Sequence, residues 1–87
     1  MRSVPLLIEA VPEDRYRVTL RFEDGVSARV DLSYLLEYGG VFAPLREPDY
    51  FRKLRVDADS GTIAWPNNAD IAPETLYARA SALSAAG

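Results

Sequence analysis

The chain contains neither cysteine nor histidine, and a single lysine stands beside nine arginines in its 87 residues. Without cysteine there are no disulfides, no thiolate nucleophile and no sulfur metal ligand. Without histidine, the usual general base near neutral pH and the commonest metal ligand are both gone. The serines at 27, 33, 60, 81 and 84 therefore have no imidazole to activate them, and no nucleophile elbow or phosphate-binding glycine loop occurs. These absences point away from an enzyme and call for no cofactor and no metal. Long apolar runs are missing as well. The longest are a few residues, against the ~20 needed to span a bilayer, and the N-terminus lacks a signal-peptide core. The expectation is a cytoplasmic bacterial protein with no membrane partner.

A formal net charge of −3 argues against whole-surface binding to nucleic acid, which is driven by phosphate neutralisation. Arginine suits bidentate ion pairs and interfaces, although the codon preference of a GC-rich genome accounts for its excess over lysine equally simply. An apolar content of 48% in 87 residues gives one core. A domain this size buries roughly 60 to 65% of its unfolded surface, so a partner surface matters to its stability.

Leu6 to Val11 is an apolar run bounded by proline and predicts a first strand, followed by a turn at Glu13-Asp14. Arg15 to Phe22 alternates strictly, with Tyr16, Val18, Leu20 and Phe22 on one face and arginines and Thr19 on the other. Val26, Ala28 and Val30 continue the alternation. Residues paired across a hairpin share a face, so a three-residue loop that pairs Phe22 with Val26, Leu20 with Ala28 and Val18 with Val30 is preferred over a two-residue Asp-Gly turn. Gly25 then takes the left-handed position. The same register sets Arg17 opposite Asp31.

Asp31 is placed to cap a short helix from Leu32 to about Tyr38, with Leu32, Leu35 and Leu36 inward and Gly39-Gly40 as terminator. Val41 to Leu45 reads as an apolar connector with Phe42 and Leu45 plugging the core. Pro48 opens a second short helix reaching about Lys53. A last hairpin pairs Val56 with Ile63 and Leu54 with Trp65 around a four-residue loop, Ala58 to Gly61. Pro66 ends it, and a third helix opens at Pro73 with Leu76, Tyr77 and Ala80 inward. The chain is thus expected to be a small single α+β domain of antiparallel β-hairpins, about five strands with three short helices, over residues 1–80. Residues 81–87 are expected to form a flexible C-terminal tail.

Three constellations are candidates for a site. Asp57, Asp59 and Asp70 with Asn67 and Asn68 offer oxygen ligands, but the spacing does not fit a calcium loop and turns use the same residues. Arg15, Arg17, Arg21 and Arg29 make a strand face able to hold phosphates or an acidic partner, without the exposed aromatics that single-strand binders stack on. Trp65 is either an interface anchor or a core residue, and its parity with Ile63 favours the core. The turn Asn67, Asn68 and Asp70 remains a candidate contact surface.

The succession Phe22-x-x-Gly25, Asp31-Leu32, Val41-Phe42-Ala43-Pro44-Leu45, Phe51, Val56-Asp57 and Gly61-Thr62-Ile63-x-Trp65-Pro66-Asn67-x-Ala69-Asp70-Ile71-x-Pro73-Glu74-x-Leu76-Tyr77 resembles the bacterial domain of unknown function 2442 family. The resemblance runs from about Leu6 to Tyr77, and Trp-Pro-Asn-x-Ala-Asp is its most specific part. The family usually has glycine where this chain has Asn68, and asparagine is the best non-glycine residue in a left-handed turn. The resemblance implies a small α+β domain without an established activity. Some relatives look like fusions to a C-terminal helix-turn-helix, which implies a regulatory role. Only about ten residues follow Tyr77 here, so direct DNA reading is not carried over. Other relatives are encoded beside a second small protein in an arrangement similar to toxin and antitoxin pairs. That implies a protein partner or a homo-oligomer, with nucleic-acid association through the arginine face as the alternative.

Overall fold

In a computed structural model of the chain, residues 4–86 are described, and side chains as far as Leu83. Residues 1–3 of the expected domain and Gly87 of the expected tail lie outside the described residues. Three strands, β1 (Leu7–Pro12), β2 (Arg17–Phe22) and β3 (Ser27–Asp31), form an antiparallel sheet in that order. A second antiparallel pair, β4 (Arg55–Asp57) and β5 (Thr62–Ala64), is reached through 3₁₀ segments at Ser33–Glu37 and Gly40–Arg46 and one α-helical turn, α1 (Pro48–Phe51). The chain closes with α2 (Pro73–Ala86). Among the described residues, no helix is long and apolar enough to cross a membrane.

Side-chain parity sets the register of β2 and β3. Val18 faces Val30, Leu20 faces Ala28 and Arg17 faces Asp31. The loop has three residues, with the Phe22 amide bonded to the Val26 carbonyl at 2.9 Å and Gly25 at φ +94°. Val18, Leu20, Phe22 and Val30 are buried because every second residue of a half-buried strand points into the core. In β1 the parity breaks. Leu7 pairs with Phe22 but Glu9 with Arg21, so Ile8 is a bulge residue, and Leu7 and Ala10 reach the inner face three positions apart. Ile8 and Val11 stay 47% and 42% exposed despite their apolar side chains.

The turn into β2 differs from the expectation. Alternation placed Arg15 and Tyr16 in the strand, but both lie in a tight turn at φ +58° and +64°, and β2 begins at Arg17. Two consecutive non-glycine residues in this region carry a strain of ~1 to 2 kcal/mol each. Three contacts hold Tyr16 there. Its hydroxyl donates to the Arg46 carbonyl (2.6 Å), its own carbonyl accepts the Leu32 amide (2.9 Å), and its ring meets Phe51 edge-on at 4.9 Å.

The helix expected from Leu32 is 3₁₀ in character. Asp31 Oδ1 accepts the Ser33 amide at 2.9 Å, as a cap would, but five residues followed by Gly39 and Gly40 at positive φ are too few to propagate an α-helix. The connector after it is also 3₁₀, and the Arg46 guanidinium donates to the Leu36 carbonyl at 3.0 Å, tying the two segments together. Leu45 is fully buried; Phe42, expected to plug the core, is half-buried.

The second hairpin keeps the expected register, Val56 with Ile63, and the four-residue loop. Trp65 is completely buried, its indole N–H donating to the Phe51 carbonyl at 2.9 Å. One hydrophobic cluster joins both sheets through Leu7, Phe22, Leu45, Phe51, Ile63 and Trp65. α2 packs against β3 and buries Leu76 and Ala80. α2 continues past Ser81 to Ala86, fourteen residues in all, through a stretch rich in alanine, the best helix former.

Candidate interaction surface

The arginine row does not assemble as a row. Arg17, Arg21 and Arg29 lie on the outer face of the three-stranded sheet, whereas Arg15 sits in the turn before β2. Arg21 is engaged by Glu9 at 3.0 Å across β1 and β2, with both side chains about half exposed (54% and 53%), so the pair is worth ~0 to 1 kcal/mol. Arg17 stands opposite Asp31, but that carboxylate is committed elsewhere. The Ser33 amide, and then the Ser33 hydroxyl, hold it below the ordinary carboxylate range, with Arg17 and Arg79 contributing less. Thr19 donates its hydroxyl to Glu13 Oε2 at 3.0 Å. Guanidinium and carboxylate groups therefore alternate across this face.

The turn residues divide into two kinds. Both polar atoms of the Asn67 side chain are engaged by the fold: Oδ1 accepts the Ala69 amide (3.1 Å) and Nδ2 donates to the Val41 carbonyl (2.8 Å). Its backbone amide donates to the Tyr50 hydroxyl at 3.0 Å. Asn68 holds the left-handed position at φ +70°. Asp57 Oδ1 accepts the Asp59 amide at 3.0 Å, and among the described residues no three acidic side chains converge to hold a metal ion. Asp70 is different. It pairs through its backbone with Ala64, which leaves its side chain exposed, and among the described residues that side chain makes no hydrogen bond or ion pair.

Asp70 stands at a shallow cavity of about 200 Å³ whose other walls include Tyr34, Tyr38, Phe42 and Thr75. The rings form a continuous row, Tyr34 to Tyr38 and Tyr38 to Phe42, both at 6.1 Å between centroids. Tyr38 is 67% exposed, and Val41, three residues on in the chain, is 56% exposed. At the far end of the row the Arg79 guanidinium lies 3.9 Å over the Tyr34 ring. This cavity is smaller than the roughly 300 to 1,000 Å³ typical of small-molecule pockets, and it opens along a surface. Its aromatic wall was not singled out in the sequence. Spacing could not have found it: at three residues per turn Tyr38 falls in line with Leu32 and Leu35, and only the folded arrangement leaves its ring exposed.

Residues 7–82 match the family described as Protein of unknown function (DUF2442). The match covers nearly the whole chain, and the chain belongs to that family. No curated protein and no solved structure matches it.

Proposed function

We propose that this DUF2442 protein is a non-enzymatic interaction or regulatory module of the bacterial cytoplasm, whose partner is another small protein, of toxin type, or a second copy of itself. The observation that carries this reading is the aromatic row Tyr34, Tyr38 and Phe42, in which Tyr38 is 67% exposed and the two rings beside it are half-buried. Aromatic side chains supply large contact area at low entropic cost and dominate interface hot spots. Small size and the absence of cysteine and histidine agree with it. Affinity capture from the native host, with wild type and Tyr38→Ser compared by mass spectrometry, tests it. The expected result is a protein retained by wild type and lost by Tyr38→Ser, whose exposed position leaves the fold intact. A strictly monomeric mass with no retained protein would overturn the proposal.

Nucleic-acid association through Arg15, Arg17, Arg21 and Arg29 has less support, because Arg15 lies off the strand face and Glu9 occupies Arg21. A gel shift on DNA or RNA that weakens steeply with salt would be needed to revive it.

A further inference from the structure

We infer that the groove between Tyr38, Phe42 and Asp70 receives an arginine side chain from an extended segment of a protein partner, with the guanidinium stacked on the Tyr38 ring and paired to the Asp70 carboxylate. This deepens the interaction reading above and rests on it.

The chemistry of the groove selects the ligand. An aromatic face attracts cations through its quadrupole, and a carboxylate beside it supplies a bidentate acceptor. Arginine satisfies both at once because its guanidinium is planar, always charged and weakly hydrated; lysine presents a compact, strongly hydrated charge that does neither as well. The fold already contains the stacking half of this recognition. Arg79 lies 3.9 Å over Tyr34, at one end of the same aromatic row. One ring further along, Tyr38 and Asp70 line a single groove that sets a ring and an unpaired carboxylate side by side, and among the described residues no arginine or lysine occupies it. Tyr38 is two-thirds exposed, so its face is accessible, and Asp70 is fixed by its backbone pairing with Ala64. The groove is too small for a folded element but fits one long side chain, which favours an extended segment over a docked helix.

The test uses the full chain and a defined probe: an acetylated, amidated pentapeptide with one arginine between alanines, and its lysine and citrulline counterparts. Backbone amide shifts are followed by NMR during titration. The expected result is saturable shifts confined to Tyr34, Tyr38, Phe42 and Asp70 and their chain neighbours, with the citrulline peptide about ten-fold weaker and the lysine peptide between the two. Asp70→Asn, an exposed substitution, is expected to reduce the preference for arginine over citrulline to the part the Tyr38 ring supplies, and Tyr38→Ser to abolish binding, while the remaining spectrum stays that of the folded protein. Equal binding of the three peptides, shifts elsewhere on the surface, or no shift at all overturns the assignment. Self-association of the chain that Asp70→Asn reverses also overturns it, since the occupant would then be a second copy. Failure here is separable from failure of the broader reading: a captured protein lost by Tyr38→Ser but retained by Asp70→Asn leaves the interaction module standing and removes the arginine.

Discussion

Asp24 and Asn67 occupy the same position in two copies of one turn. In each loop the residue before it closes the strand by an amide-to-carbonyl bond of 2.9 Å, Phe22 to Val26 and Trp65 to Ala69. In each the third loop residue is left-handed, Gly25 at φ +94° and Asn68 at +70°. Asp24 Oδ1 accepts the Val26 amide at 3.0 Å as Asn67 Oδ1 accepts that of Ala69 at 3.1 Å. The second polar atom of each reaches a remote segment, Asp24 Oδ2 the Tyr77 hydroxyl of α2 and Asn67 Nδ2 the Val41 carbonyl. The two loops thus act as pins, one for the C-terminal helix and one for the aromatic surface.

The first pin makes stability depend on pH at both extremes. Asp24 is held below its ordinary range, chiefly by the Tyr77 hydroxyl and then by the Val26 amide, and Tyr77 is raised by the same bond to Asp24. A depressed carboxyl stabilises the fold above its unfolded value and loses that contribution as pH falls through its folded value. A raised phenol stabilises below its unfolded value and loses its contribution as pH rises through the folded one. Both are fully present between about pH 4 and pH 10. Tyr77→Phe is expected to lower Tm within that window, with the difference from wild type shrinking below and above it. A Tm difference unchanged at pH 3 would remove Asp24 from the account.

At Asn68, φ +70° suits glycine better than any other residue. Asn68→Gly is expected to be neutral to stabilising by up to about 1 kcal/mol, and Asn68→Val to cost about 1 to 2 kcal/mol. Urea midpoints at constant slope provide the measurement. A Val variant as stable as wild type would mean that this backbone is not held left-handed.

Trp65→Phe keeps most of the apolar volume but removes the N–H that the Phe51 carbonyl accepts at 2.9 Å. The expected loss is about 2 to 4 kcal/mol, against ~3 to 5 kcal/mol for Trp65→Ala. Denaturant unfolding of the two variants separates the hydrogen bond from the packing; a phenylalanine variant within experimental error of wild type would show the bond contributes nothing.

Gly61 lies at φ +72°, and a Cβ there would stand 2.5 Å from Leu6 Cδ2. Gly61→Ala is expected to cost about 1 to 3 kcal/mol, part of it backbone strain and part overlap. Combining it with Leu6→Ala relieves only the overlap, so the double variant should be more stable than the sum of the single effects predicts. Strict additivity would place the whole cost in the backbone.

The Thr62 side chain is fully buried, and its hydroxyl has no partner among the described residues. Thr62→Val keeps the shape and removes the polar atom, and is expected to raise stability by about 1 kcal/mol. A loss of stability measured by urea unfolding would mean that the hydroxyl is hydrogen-bonded in solution.

The sequence by itself determined what alternation along a strand can report. The β2 and β3 register, the three-residue loop ending at Gly25, the Val56 to Ile63 pairing, the four-residue loop before Thr62 and the burial of Trp65 all follow from which neighbours share a face. Tertiary structure decided the rest. Tyr16 has strand parity, yet its backbone turns left-handed because Phe51 and the Arg46 carbonyl, both at least thirty residues away, hold its ring and hydroxyl. Asn67 and Asp70 look alike as polar turn residues, but the Val41 carbonyl consumes one and nothing among the described residues engages the other. Phe42 is apolar enough for a core and is half-buried at the surface beside Tyr38. Periodicity states which side of an element is apolar. Which polar atoms are satisfied, and which rings stay uncovered, depends on distances between segments far apart in the chain, and only the folded arrangement sets those.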